Sequence, residues 1–320
     1  MSGRYEKETK INNKVEEKLK RLPSIVADYY YSLISSGKSY ITAQSYVYNV
    51  ESFLSTMFKT PYKEDFYLNV NTNHINRYMS SLRMGSRGKR MSDSYLTTKW
   101  SALNSFFDFL VPSYIAINPV AATKRPKQKD NPNVTFLNEN EIAMIFENVK
   151  EKANRRILNR DLAILKLGFA TGLRVSEIVQ IDINDIDFNN NKINVVGKGD
   201  RGYYVFMGNN LKNQIKLWIE DRDTFFYKAK TNALFVSQEY NRLSVRSVND
   251  LIARYSDVVS KHVTPHVMRH SCATNLYEKT GDIYLCASQL HHKNVTTTQR
   301  YAELSTKKQE NAANILDGMI

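Results

Sequence analysis

The sequence predicts a mainly α-helical protein with one small antiparallel β-sheet, split between two domains. Three observations carry this. Apolar residues recur at helical spacing through most of the chain, one stretch near residue 190 switches to β-branched and aromatic runs broken by Asn and Gly, and a basic segment with several prolines separates two helical halves. At 320 residues the chain is long for one core, since domains hold roughly 100 to 200 residues.

Residues 1–21 are charged throughout and read as a polar extension without the apolar run of a signal peptide. A helical domain is expected over 22–118. Tyr46, Val47, Val50, Phe53, Leu54, Met57 and Phe58 make one continuous stripe. Ile75, Tyr78, Met79 and Leu82 share a face after a polar start, and Leu96, Trp100, Leu103, Phe106, Phe107 and Leu110 form another. Between these two helices lies RMGSRGKRMS, with two glycines and four basic side chains, opening onto Ser92 as an N-cap. Residues 119–135 hold three of the seven prolines and a net positive charge, the composition of an extended basic linker.

The second domain, 136–302, opens with Asn138 and Glu141 at capping-box spacing before an apolar run. A long helix around RDLAILKLGFATGLRVSEIVQI leads into IDFNNNKINVVGKGDRGYYVFM, which reads as the antiparallel sheet with Lys198 at or near a hairpin tip. Helical patterns then resume, the last beginning at Pro265, a favourable first-turn position. Residues 303–320 read as a tail helix with Ala312, Ile315, Leu316 and Met319 on one face. A helix this short does not stand alone, so that face docks on its own domain or on a neighbouring protomer.

Charge narrows the function classes. Lys and Arg number 45 against 32 Asp and Glu, a formal charge of +13, which favours a polyanionic partner through phosphate contacts and counterion release. No window approaches the roughly 18 apolar residues of a spanning helix. Cys272 and Cys286 have no Cys-x-x-Cys spacing, so neither a disulfide framework nor a cysteine zinc site is supported, and a reducing cytoplasm is the expected compartment.

Five of the six histidines (His262, His266, His270, His291 and His292) fall between residues 262 and 292. On a helix His266 and His270 share a face, and His262 extends the row. Zinc could use that spacing, but the position of a metalloprotease general base holds Val267, and no dense run of carboxylates or thiolates completes a ligand set. No metal or other cofactor is expected.

What accompanies the histidines is more informative. ATGLRVSEI, VVGKGDRG, TPHVMRHSCAT and LHHKNVTTTQRY occur in that order, each offering a phosphate ligand, a proton donor or a nucleophile. In these residues the chain resembles the tyrosine recombinases, the phage-type integrases and Xer-like recombinases, over about residues 136 to 302. The family pattern falls on Arg174, Lys198, His266, Arg269, His292 and, nine residues on, Tyr301. The resemblance implies an N-terminal helical core-binding (SAM-like) domain and a C-terminal catalytic domain that together clamp duplex DNA. It also implies a site-specific recombinase acting through a covalent 3′-phosphotyrosine, without metal or ATP, as a homotetramer on synapsed DNA with the tail exchanged between protomers. Dimer resolution and mobile-element integration or excision both fit. In one respect the chain departs: Leu290-His291-His292 stands where the family usually has Leu-Gly-His, placing a side chain at a position often left bare.

The chemistry fits those residue types. Two guanidiniums, Arg174 and Arg269, suit the charge that builds on a phosphodiester under attack. Tyr301 is the nucleophile, Lys198 can protonate the leaving 5′-oxygen, and His266 and His292 assist proton transfer near neutral pH. Each role has a plainer alternative: Arg174 pairing with Glu177 three residues on, Lys198 as a solvated turn residue, Tyr301 as one of 20 tyrosines. His270 reads as a core or hydrogen-bonding histidine. Arg87, Lys89, Arg90, Lys99, Lys124, Arg125, Lys127, Arg201 and Arg246 are the expected DNA contacts. Two rivals stay open: a DNA-binding protein that keeps this fold without cutting, and a metal-dependent hydrolase built on the histidines.

Overall fold

Helices form where the apolar stripes lie, and short polar side chains start them. The computed structural model describes residues 2–85, 90–127, 135–197 and 202–291. The chain divides into two compact units, Met1–Asp130 and Asn131–Ile320.

The first unit contains α1 (Ser2–Leu19), α2 (Ser24–Ser35), α3 (Tyr40–Met57), α4 (Thr72–Met84) and α5 (Asp93–Leu110). Ser39 Oγ accepts from the Thr42 N–H, Asn71 Oδ1 from the N–H groups of Asn73 and His74, and Ser92 Oγ from the Tyr95 N–H. Each bond satisfies a donor that the first helical turn leaves without an internal partner. The stripes meet in one core in which Tyr29, Phe53, Tyr78, Phe106 and Phe107 are buried. Tyr29 and Phe106, and Phe53 and Tyr78, meet edge to face with centroids 5.2 Å apart.

Two segments differ from the sequence reading. The expected polar extension is α1, and its Val15 and Leu19 are buried in this core; two apolar residues one turn apart dock the helix although most of its surface is charged. The start of the expected linker is also packed. Pro119 and Pro126 carbonyls accept from the hydroxyls of Thr72 and Thr97, and the Trp100 indole N–H donates to Thr123 Oγ1 at 2.7 Å, holding 119–127 against α4 and α5.

The second unit contains α6 (Glu139–Lys152), α7 (Leu158–Thr171), α8 (Val175–Ile178), then β1 (Ile186–Asp187), β2 (Lys192–Val196) and β3 (Gly202–Phe206), then α9 (Asn209–Phe225), α10 (Val245–Tyr255), α11 (Pro265–Thr280) and α12 (Ile283–Gln289). Asn138 and Glu141 form the capping box that starts α6. The strands pair antiparallel in the order β1-β2-β3, with Ile193 opposite Val205 and Val195 opposite Tyr203. Because side chains alternate along a strand, Ile193, Val195, Tyr203 and Val205 share the inward face, while Val196, Tyr204 and Phe206 are exposed.

Buried α7 organises this unit. On its flank Asp161 accepts from Arg160 Nε and from the Tyr255 hydroxyl, both at 2.8 Å, so the buried charge is paired and hydrogen-bonded. The helix stops at Gly172, whose φ of +64° lies in the left-handed region. A Cβ there would approach Leu290 Cδ2 to 2.5 Å. This close passage brings the end of α7 against the end of α12.

Candidate active site

Arg174 directly precedes α8, and Glu177 sits inside it. The carboxylate of Glu177 is held from both sides: Oε2 accepts the backbone N–H of Arg174 at 2.8 Å and Oε1 accepts its guanidinium at 2.9 Å. The Glu177 side chain is 5 % exposed and that of Arg174 is 45 % exposed. The pairing weighed from sequence as a plain alternative is therefore present, and it is compatible with function: a buried carboxylate tethers the base of a cation that still reaches solvent.

Arg269 lies in the opposite environment. It is buried on α11, and it donates to the carbonyls of Gly172 and Leu290, each at 2.5 Å. Carbonyls at helix ends lack internal donors, so one guanidinium satisfies the ends of α7 and α12 at once. It thereby joins the segment before Arg174 to the segment before His291. His266 stands exposed in the first turn of α11, three residues ahead of Arg269, after the N-cap Thr264 and Pro265.

Tyr203 closes the group from the sheet. Its phenol lies within electrostatic reach of the Glu177 carboxylate, and its ring lies 3.9 Å, centroid to centroid, from the imidazole of His291 at an angle of 40°. Burial drives the Tyr203 phenol well above the ordinary range and the Glu177 carboxylate adds to this, while Arg174 and Arg269 oppose it. The same surroundings act on His291: desolvation lowers its pKa, Glu177 opposes, and Arg269 and Arg174 lower it further. His291 adopts φ +49° and donates its N–H to the Ser288 carbonyl at 3.0 Å. The family's glycine is explained by this backbone, which is costly for other residues; here the ring of Tyr203 gives the extra side chain a seat.

Of the six expected catalytic residues, Arg174, His266 and Arg269 are described, and Arg174 and Arg269 converge on Tyr203 and His291. Lys198, His292 and Tyr301 lie outside the described residues, as do the expected contacts Arg87, Lys89 and Arg201 and the tail 303–320. Sequence reasoning missed Tyr203, for which no motif exists. The inward register of β3 opposite Val195 is the signal that identifies it.

Cys272, one turn beyond Arg269, is buried and its thiol is pushed up to about 12 by desolvation, which makes it a packing residue. His270 is half-buried on α11. Among the described residues no group of three or more His, Cys, Asp or Glu gathers as a metal site, and no helix is long and apolar enough to cross a membrane.

The expected DNA contacts divide. Arg90 is exposed, and Arg246 on α10 has 92 % of its side chain accessible, 3.9 Å from Asp250. Lys124, Arg125 and Lys127 are exposed and, with Met79, Arg83 and Trp100, line an open groove of about 620 Å³ in the first unit. Lys99 departs from expectation. It is buried, with its ammonium 5.4 Å from the Tyr95 ring centroid, and burial lowers its pKa, because its position on α5 falls on the packed face.

Comparison with known proteins decides the family. The phage integrase family profile matches residues 135–308. The chain belongs to that family, the tyrosine recombinases. A tyrosine recombinase XerC of Vibrio cholerae serotype O1 is 31 % identical over 280 residues, covering 86 % of each chain. Among solved structures, the XerH site-specific recombinase bound to a palindromic difH substrate, in a post-cleavage complex, has a TM-score of 0.73 at 21 % identity, covering 87 % of this chain and 81 % of that one. A lambda integrase tetramer bound to a Holliday junction has a TM-score of 0.63 at 18 % identity, covering 87 % and 76 %. Family membership carries the reaction class, site-specific DNA recombination by strand breakage and rejoining.

Proposed function

We propose that this recombinase cleaves and rejoins duplex DNA through a covalent 3′-phosphotyrosine on Tyr301, its two domains closing around the duplex. The observation that carries this reading is the joint anchoring of Arg174 by Glu177 and of Arg269 by two backbone carbonyls. Cations fixed before the reaction stabilise developing charge without reorganisation. In this scheme Arg174 and Arg269 meet the non-bridging oxygens of the scissile phosphate, and the Tyr301 phenolate attacks phosphorus. The P–O bond to the 5′-oxygen breaks as the P–O bond to tyrosine forms, and Lys198 protonates the leaving oxygen. His266 and His292 assist proton transfer. The phosphodiester energy is conserved in the tyrosyl linkage, so neither ATP nor a metal enters the balance.

The working assembly in this reading is a homotetramer on two synapsed sites, with free protein as monomer or dimer. The Ile315, Leu316 and Met319 face of the tail docks on a neighbouring protomer. An open groove of about 350 Å³ in the second unit, lined in part by Phe169, Leu276 and Leu285, offers apolar surface for such a segment. Chromosome dimer resolution and mobile-element integration or excision share this chemistry.

The test is a nicked duplex carrying a site recovered by binding selection from random-sequence DNA, incubated with protein in EDTA and run on a denaturing gel. A protein-linked DNA band that vanishes in Tyr301→Phe supports the reading. A bound site that yields no band identifies a non-cleaving DNA-binding protein, and cleavage that requires metal identifies a hydrolase.

A further inference from the structure

Three segments that carry expected catalytic residues meet at one side chain that belongs to no motif. Tyr203 lies five residues after Lys198 on the strand leaving the hairpin, and it faces inward opposite Val195. Its phenol lies within electrostatic reach of Glu177, the carboxylate that holds Arg174. Its ring supports His291, the residue immediately before His292. Arg269 ties the Arg174 and His291 segments to each other through the Gly172 and Leu290 carbonyls, but neither of those bonds reaches the sheet. From the sheet, the ring contact to the His291 segment is made by Tyr203, whose phenol also lies near Glu177.

The backbone at His291 shows why a link is needed there. A non-glycine residue at φ +49° is held in a sparsely populated region, which persists only where surroundings enforce it. The enforcing contacts are the Ser288 carbonyl, which fixes the backbone, and the Tyr203 ring at 3.9 Å, which fixes the side chain. In a chain with glycine at this position no ring seat would be required.

We propose that Tyr203 is a positioning residue for strand cleavage: its ring, paired with His291, registers the hairpin strand and the segment leading into His292 against the Arg174 centre. The inference rests on the recombinase reading for its catalytic consequence, and the ring pairing can be judged without it. Tyr203 touches neither DNA nor the reacting atoms in this scheme, so its effect appears in the rate of cleavage and not in DNA affinity. Displacing a catalytic group by an ångström can cost about a hundredfold in rate, and a tyrosine acting at one remove is expected to cost about tenfold.

The experiment compares full-length Tyr203→Phe, Tyr203→Ala, His291→Gly and the Ala/Gly double variant. Covalent adduct formation is followed in single turnover on the selected nicked duplex, and DNA affinity by mobility shift. Tyr203→Ala is expected to slow adduct formation about tenfold while affinity stays within about twofold, with Tyr203→Phe close to wild type because it keeps the ring. The double variant should be no slower than Tyr203→Ala, since glycine at 291 needs no seat. Independent, multiplying effects in the double variant, or a Tyr203→Ala rate within twofold of wild type, would overturn the proposal. In parallel, the imidazole C–H resonance of His291, assigned by its loss in His291→Gly, should be shifted upfield by the Tyr203 ring current. It should stay shifted in Tyr203→Phe and move to the free value in Tyr203→Ala. An unshifted resonance in wild type sinks the pairing even if no DNA is cut, whereas a shifted resonance with no adduct in any variant sinks the recombinase reading instead.

Discussion

Arg174 and Arg269 carry the same charge in opposite settings, and the difference predicts different variants. Arg174 keeps 45 % of its side chain accessible above a buried Glu177, so Arg174→Lys preserves the charge but loses the planar fork. Adduct formation should fall about 10²- to 10³-fold, the usual cost of one transition-state donor, with DNA affinity little changed in a mobility shift. The turn at Gly172 is as demanding. Its φ of +64° disfavours any side chain, and a Cβ would press on Leu290, so Gly172→Ala should destabilise the second unit by about 1 kcal/mol or more in urea unfolding. His291 makes the site sensitive to acid. Glu177, Arg174, Arg269 and Tyr203 face it, and its pKa is lowered in the folded state, so the folded protein resists a proton that the unfolded chain accepts. The stability it contributes is present above the unfolded value, about 6.5, and is lost as pH falls below it. The drop in Tm between pH 7.5 and 5.5 should therefore be smaller in His291→Gly than in wild type.

At the scale of elements, periodicity located α3, α4 and α5, and capping patterns located the starts of α5 and α6, because those signals are local. Ser92, Asn71 and Asn138 act where short-range hydrogen bonding places them. The docking of α1 was not legible, since Val15 and Leu19 are two apolar residues in a charged helix and their partners lie on other helices. Arg174, its partner Glu177 and Arg269 were identifiable by order and spacing, whereas the Gly172 and Leu290 carbonyls that hold Arg269 are backbone atoms distant from it in sequence, and the Tyr203 ring beside His291 comes from another segment. Lys99 shows the same limit from the other side. Read as a DNA contact, it is buried on the packed face of α5 with no carboxylate partner among the described residues, and burial depresses its pKa. A buried ammonium held near an aromatic ring retains part of its desolvation cost, which methionine of similar length would not incur. Lys99→Met should raise the melting temperature of the protein by about 3 °C in calorimetry. A lower Tm together with weaker DNA binding would restore Lys99 to the contact surface.

For the whole molecule the governing quantity is charge. An excess of 13 positive charges makes association with DNA a counterion-release process, in which log K falls linearly with log salt and the slope counts the phosphates neutralised. The exposed cations do not contribute alike. Lys124, Arg125 and Lys127 line one groove beside Arg83, so their positive potential adds, whereas Arg246 stands 3.9 Å from the Asp250 carboxylate, which offsets part of its field. Replacing Lys124, Arg125 and Lys127 together by alanine should lower the steepness of the salt dependence by about 3 if each neutralises one phosphate, and should weaken binding to specific and random duplexes alike. Arg246→Ala should lower it by less than 1. Arg174→Lys keeps its charge and should leave the slope unchanged while cleavage collapses, which separates the cations that hold the duplex from those that act on the scissile phosphate. A slope that stays at the wild-type value in the triple variant would remove the groove from the DNA-binding surface and move the charge requirement to the second unit.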